Sequence, residues 1–133
     1  MNDIKIVVDS RYRVNRKALK TALDEFLKNQ GITSDSELSV AIVGDRKMRD
    51  LNRTHRGLDK TSNVLSFSQT EKSVDDEVQF VASPDHVIRL GDVIISYPEA
   101  VKYAVENELM VVDSLRDLAQ HGLLHLLGVH HEE

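Results

Sequence analysis

Four of the six histidines of this chain crowd into residues 121–131, as His121, His125, His130 and His131. His121 and His125 stand one helical turn apart, so on a helix they share a face and can grip one ion between them. Gly128 is placed to end such a helix in a left-handed conformation, turning the chain back so that a third imidazole reaches the same ion. Three neutral nitrogens around a vacant fourth position describe a catalytic metal site rather than a closed structural one. The plainer readings are half-buried core histidines or a terminal metal-binding tract. Leucines interleaved at helical spacing argue against the tract, and the place of the glycine argues against coincidence.

A second group of reactive side chains is basic. Arg46, Lys47, Arg49, Arg53, Arg56 and Lys60 are opposed only by Asp50 and Asp59 within 46–60, in a chain whose formal net charge is −5. For most of them a solvated helix face is explanation enough. Arg56 differs, because it sits beside Gly57 just after the expected helix, where a guanidinium can project into a cleft. Its planar fork of donors suits phosphate oxygens and the extra charge of a phosphorane-like transition state. A hydrolytic metal beside a basic cleft points to phosphodiester cleavage. The spacing His-x3-His-x2-Gly-x2-His is shared with the metzincin proteases. Those enzymes need a glutamate directly after the first histidine as general base, and Gly122 here cannot take a proton.

These groups need a scaffold. Residues 4–8 are β-branched and partly alternating, which predicts a strand. Leu19, Ala22, Leu23, Phe26 and Leu27 recur at helical spacing within 15–29, with Gly31 as a stop. A second strand covers 38–43, and Asp45 then caps a short basic helix ending near Asn52 or Arg53. Residues 64–67 read as a third strand, and 69–85, acidic and polar with Pro84, as a loop or hairpin arm. A fourth strand spans 87–95 with an interruption near Gly91-Asp92. Ser96-Tyr97-Pro98-Glu99 opens a helix toward Asn107, since the serine can accept from first-turn amides and proline suits that turn. A last helix, about 111–127, carries Leu115, Leu118, Gly122 and Leu126 along one side. The sum is an α+β (mixed α/β) fold: a single domain spanning 1–133, a roughly four-stranded mixed sheet packed with four to five helices, and the metal site on the C-terminal helix.

Composition agrees with that scale. At 133 residues, 41% hydrophobic and 29% charged, the chain suits one globular domain with a respectable core. No apolar run is long enough to span a bilayer. The start, MNDIKIVVDSR, has no signal-peptide core, so a cytoplasmic location is expected. With no cysteine, disulfides and thiolate ligands are excluded, and any metal must be held by imidazole and carboxylate. The acidic balance argues against a protein that coats nucleic acid without selection, while leaving room for a local basic patch.

Three segments, in order, resemble one known family, the YbeY endoribonucleases of bacterial ribosomal RNA maturation. His121 to His131 (HGLLHLLGVHH) resembles its HGxLHLxGYDH signature. Residues 51–67 (LNRTHRGLDKTSNVLSF) resemble its LNxxYRGxDxPTDVLSF block, and 90–96 (LGDVIIS) its LGDIxIS strand. The resemblance covers the chain from about Ile4 onward. It implies one zinc ion on His121, His125 and His131, a functional arginine at Arg56, and cleavage of single-stranded RNA. It further implies maturation of the 3′ end of small-subunit ribosomal RNA and a part in ribosome quality control, with the small subunit or ribosomal proteins as partners. The chain also departs from the pattern in places. Val129-His130 stands for Tyr-Asp, Ser62-Asn63 for Thr-Asp, and Ser68 for a proline. Two adjacent imidazoles therefore compete for the third ligand position; spacing favours His131, with His130 as a spare. The sequence also stops two residues past His131, from which a loosely held third ligand is expected.

In the mechanism so expected, Arg56 neutralises charge developing on the phosphate while neighbouring basic side chains track the backbone. Asp117, one turn before His121, is placed to hydrogen-bond a ligand's far nitrogen, though an ordinary exposed helix acid is the favoured reading. Glu132 or Glu133 would serve as base by proximity alone, and Ser66 and Asp92 would line strand ends beside the cleft. Two other functions compete: a non-catalytic ribosome-associated factor with a structural metal, and, behind it, a metal-dependent peptidase. Zinc is the expected ion, and three imidazoles also accept nickel, cobalt or iron.

Overall fold

The computed structural model describes residues 2–32, 34–57, 62–68 and 87–128, with the Arg56 side chain outside that description. The elements run β1 (Asn2–Val8), α1 (Arg16–Asn29), β2 (Ser36–Val43), α2 (Asp45–Arg56), β3 (Val64–Ser68), β4 (Ile88–Ser96), α3 (Tyr97–Glu106) and α4 (Val111–Gly128). They build the α+β arrangement expected from periodicity: a four-stranded mixed sheet, in order β1-β2-β4-β3, with four helices. β1, β2 and β4 are parallel, and β3 lies antiparallel on the outside of β4. The expected loop or arm at 69–85 lies outside the described residues.

Alternation decides which face is the core. Along β2, Ser36, Leu38, Val40 and Ile42 are buried while their neighbours are half-buried. Val40 pairs with Val93, and Val93 with Ser66, so these three look to the same side. α4 covers that side, because a Cβ built on Gly122 would stand 2.8 Å from a Val93 methyl and 3.3 Å from one of Val64. Leu115, Leu118, Gly122 and Leu126 of α4 are all buried, as their spacing requires. α1 adds Leu19, Leu23 and Leu27 to the same core.

Helix ends follow local chemistry, with two corrections to the sequence-based picture. Asn15 caps α1 by accepting from the Ala18 amide at 3.0 Å, and Ser96 caps α3 by accepting from Glu99 at 3.2 Å. The cap of α2 is Gly44, not Asp45, which occupies the first turn. The Asp45 carboxylate is committed elsewhere, accepting from the Ser96 hydroxyl at 2.7 Å and so joining the starts of α2 and α3. α2 also runs beyond Arg53, so Arg56 is its last residue rather than a residue after it; Gly57, left-handed at φ 68°, then ends the helix. Gly128 is the last residue of α4, and the turn expected to follow it lies outside the described residues. The buried Leu126 holds that final turn on the core.

β4 is one continuous strand, and the expected interruption is a bulge. Its register against β2 shifts by one between Arg89 and Gly91, opposite Glu37 and Leu38. Gly91 takes the strain at φ 135°, and its bare Cα lets β3 come close: a Cβ there would sit 2.2 Å from the Phe67 carbonyl oxygen. The LGD triplet thus positions β3, and β3 carries a wall of the candidate site.

Candidate functional site at the free edge of the sheet

A cleft of about 690 Å3 wraps around the outer edge of β3. On one side α4 contributes Asp117, His121 and His125. On the other, the end of α2 contributes His55, whose ring lies 5.0 Å from that of Phe67, tilted by 54°. The two walls come from opposite faces of the sheet, since Ser66 and Phe67 alternate, and they meet because β3 is an edge strand. Asn52 steadies the entry to β3 from α2, donating to the Ser62 hydroxyl at 2.8 Å.

His121 and His125 are both exposed on the cleft face of α4, one turn apart. Their neighbours Gly122, Leu123 and Leu126 are buried, so the helix can turn only this face outward. Among the described residues, neither ring is held by a hydrogen bond. Such a pair fits a borderline ion such as zinc, nickel or cobalt, whereas all-oxygen sites suit magnesium and calcium. Among the described residues no three His, Asp or Glu side chains gather closely enough to hold an ion by themselves. The third expected ligand, His131, and its neighbour His130 lie outside the described residues, as do Glu132 and Glu133. Asp117 lines the cleft and is half-buried, yet its carboxylate lies 3.5 Å from the Arg116 guanidinium and, among the described residues, makes no bond to an imidazole.

Gly122 bears on the peptidase alternative. The position where a metzincin would carry its glutamate is pressed against Val93 and Val64, with no room for a Cβ. The general base is thus missing and its place is filled by the sheet.

The basic helix is less uniformly charged than its sequence suggests. Arg53 is paired with Asp50 on the outer face of α2. Arg46 and Arg49 flank the same shallow depression. Arg56 follows cleft-lining His55 at the end of the helix, and Lys60 lies outside the described residues. Ser66 lines the cleft as expected, whereas Asp92 is exposed on β4 and takes no part in the lining. Sequence reasoning missed His55, Asn63, Phe67 and Tyr103, all of which face the cleft. One signal was available for His55. Met48, Asn52 and His55 share a face of α2 at helical spacing, and the first two are fully buried, so the third must hang over the end of the sheet.

Comparison with known proteins agrees with this geometry. The family model described as Endoribonuclease YbeY matches residues 4–133. An Endoribonuclease YbeY of Dehalococcoides mccartyi is 37% identical over 136 residues, covering 98% of this chain and 79% of its relative. One from Moorella thermoacetica is 39% identical over 124 residues, covering 91% and 78%. A solution structure from Thermotoga maritima shares the fold, with a TM-score of 0.60 over 94% of this chain and 72% of that one, at 24% identity. On these matches, the chain belongs to the YbeY endoribonuclease family.

Proposed function

We propose that this chain is a metal-dependent endoribonuclease that cuts single-stranded RNA in the cleft at the β3 edge, with ribosomal RNA as its substrate. The observation that carries this reading is the exposed His121–His125 pair on the cleft wall, in a chain of this family. His121, His125 and His131 are the assigned ligands, and zinc is the ion their nitrogens suit best, ahead of nickel or cobalt. When bound, such an ion supplies Lewis acidity toward a phosphodiester and lowers the pKa of an attacking water. Arg56 is assigned to the charge that develops on the phosphate, an interaction worth most where water is excluded. Arg46 and Arg49 lie farther along α2 and supply the salt-sensitive attraction of a negative strand to a chain that is acidic overall. Maturation of the small-subunit RNA 3′ end in the cytoplasm, in contact with the small ribosomal subunit, belongs to the same reading.

The test uses purified protein, its metal content and an unstructured RNA. The metal-loaded protein should cut that RNA. Arg56→Ala should abolish cutting with metal content unchanged, and His121→Ala should lose the metal. Intact RNA after incubation with zinc-loaded protein would refute the reading in favour of a docking factor, whose ribosome affinity would survive chelation.

A further inference from the structure

The cleft holds a wall of flat rings and open backbone that the cleavage chemistry above leaves unused. We propose that His55 and Phe67, together with the free edge of β3, form a subsite that takes one nucleobase of a single-stranded RNA; the proposal rests on the endoribonuclease reading of the same cleft.

The rings come first. His55 is exposed at the end of α2, and among the described residues neither of its ring nitrogens is hydrogen-bonded. Its ring contact is Phe67, tilted by 54° at 5.0 Å, so the two rings brace each other, His55 exposed and Phe67 half-buried, both lining the cleft. In a chain with only 5% Phe, Trp and Tyr, a ring pair lining this cleft stands out from ordinary surface. Every base presents a π-face, so such rings hold single-stranded RNA with little regard to sequence.

The sheet edge supplies the second half. The Ser96 amide donates to the Asn63 carbonyl at 3.0 Å, so Asn63 turns its backbone toward β4. Antiparallel alternation then turns Leu65 and Phe67 inward as well, and points the N–H and C=O of Val64 and Ser66 away from the sheet. Both residues line the cleft, and among the described residues no strand covers them. Ser66 thus offers a backbone donor and a backbone acceptor at the strand edge next to the tilted ring pair, a set that matches the hydrogen-bonding edge of a base. An extended peptide would use the same edge as an added strand. The adjoining rings and the imidazole pair of α4 in the same cleft favour the base.

Equilibrium binding decides it. The probe is a fluorescent five-nucleotide strand, 2′-O-methylated and checked to be intact afterwards, read by anisotropy against the protein as purified. His55→Ala should weaken binding about tenfold or more, as expected for loss of one base–aromatic stack. His55→Phe should bind within about threefold of the wild type, because the ring remains. Removing the base at successive positions should find one position that weakens the wild type to the same extent, and on that strand His55→Ala should cost nothing further. Unchanged binding by His55→Ala would overturn the subsite, as would a His55→Phe protein as weak as the alanine variant, or a loss that persists on every abasic strand. Competition by an extended peptide with no dependence on any base would overturn it too. A wild type that binds and cuts RNA while these variants behave normally sinks the subsite alone; one that neither binds nor cuts sinks the endoribonuclease reading.

Discussion

Replacing Gly91 by alanine should be the most damaging small substitution in the described structure, for two separable reasons. The first is backbone strain: φ at Gly91 is 135°, a conformation that L residues rarely adopt and that costs them about 1–3 kcal/mol. The second is contact. The new Cβ would stand 2.2 Å from the Phe67 carbonyl oxygen and 3.0 Å from the Ser68 Cα, both backbone atoms of the adjoining strand. Neither can swing aside as a side-chain tip would, and forced overpacking costs about 1–3 kcal/mol more. The sum, about 2–6 kcal/mol, is a large share of the roughly 5–15 kcal/mol that stabilises a typical protein. Unfolding entropy of about 2.1 cal/mol/K per residue over 133 residues turns that sum into a melting temperature lower by about 7–21 °C. Thermal unfolding followed by far-ultraviolet circular dichroism reads it. Gly31→Ala is the control, because Gly31 has φ 88° but nothing within 4 Å of its would-be Cβ. The stiffening of the unfolded chain by alanine is common to both variants and largely cancels. If Gly91→Ala melts no lower than Gly31→Ala, the close approach of β3 to β4 is not what requires glycine, and the account of how β3 is positioned fails.

Other outcomes follow from the same geometry. Gly122→Ala sets a helix-propensity gain of about 0.8–1 kcal/mol against an overpacking cost of about 1–3 kcal/mol. It should be neutral to mildly destabilising, and it should lower RNA affinity by lifting α4 from Val93, as binding titrations would show. Ser96→Ala removes both the α3 cap and the bond to Asp45, so chemical denaturation should show a loss of about 1–3 kcal/mol. In the double variant with Asp45→Asn the loss should be smaller than the sum of the two single losses. The Arg11 side chain and then its backbone amide bond the Asp9 carboxylate and hold its pKa at about 2 instead of 3.8. Because the folded value is depressed, the stabilisation is complete above the ordinary carboxylate range and fades as pH falls toward 2. NMR titration of Asp9 should find that low value, and Arg11→Ala should return it to the normal range.

Much of the scaffold was legible from residue order because helices and strands write their burial into short-range periods. The leucines of α1, the inward row of α4, the Ser96 cap and the imidazole pair on one helix face all depend on residues within a turn or two of each other. Helix ends were read less well. Asp45 looked like a cap, but its carboxylate bonds Ser96, fifty-one positions away, and no local pattern announces such a partner. Gly91 carries the same lesson: a glycine's letter records that φ is free, and packing decides how the freedom is used.

Sequence alone therefore determined the element types, the outward pairing of His121 with His125, and the likeness that names the family, since each rests on identity and spacing along the chain. Tertiary structure decided that β3, separated in sequence from α4, would be the outer strand of the sheet among the described residues, and that His55 and Phe67 would meet beside it. Strand order is set by contacts between distant segments, whose energies come from faces buried together. The cleft is the space that this strand order leaves at the edge of β3.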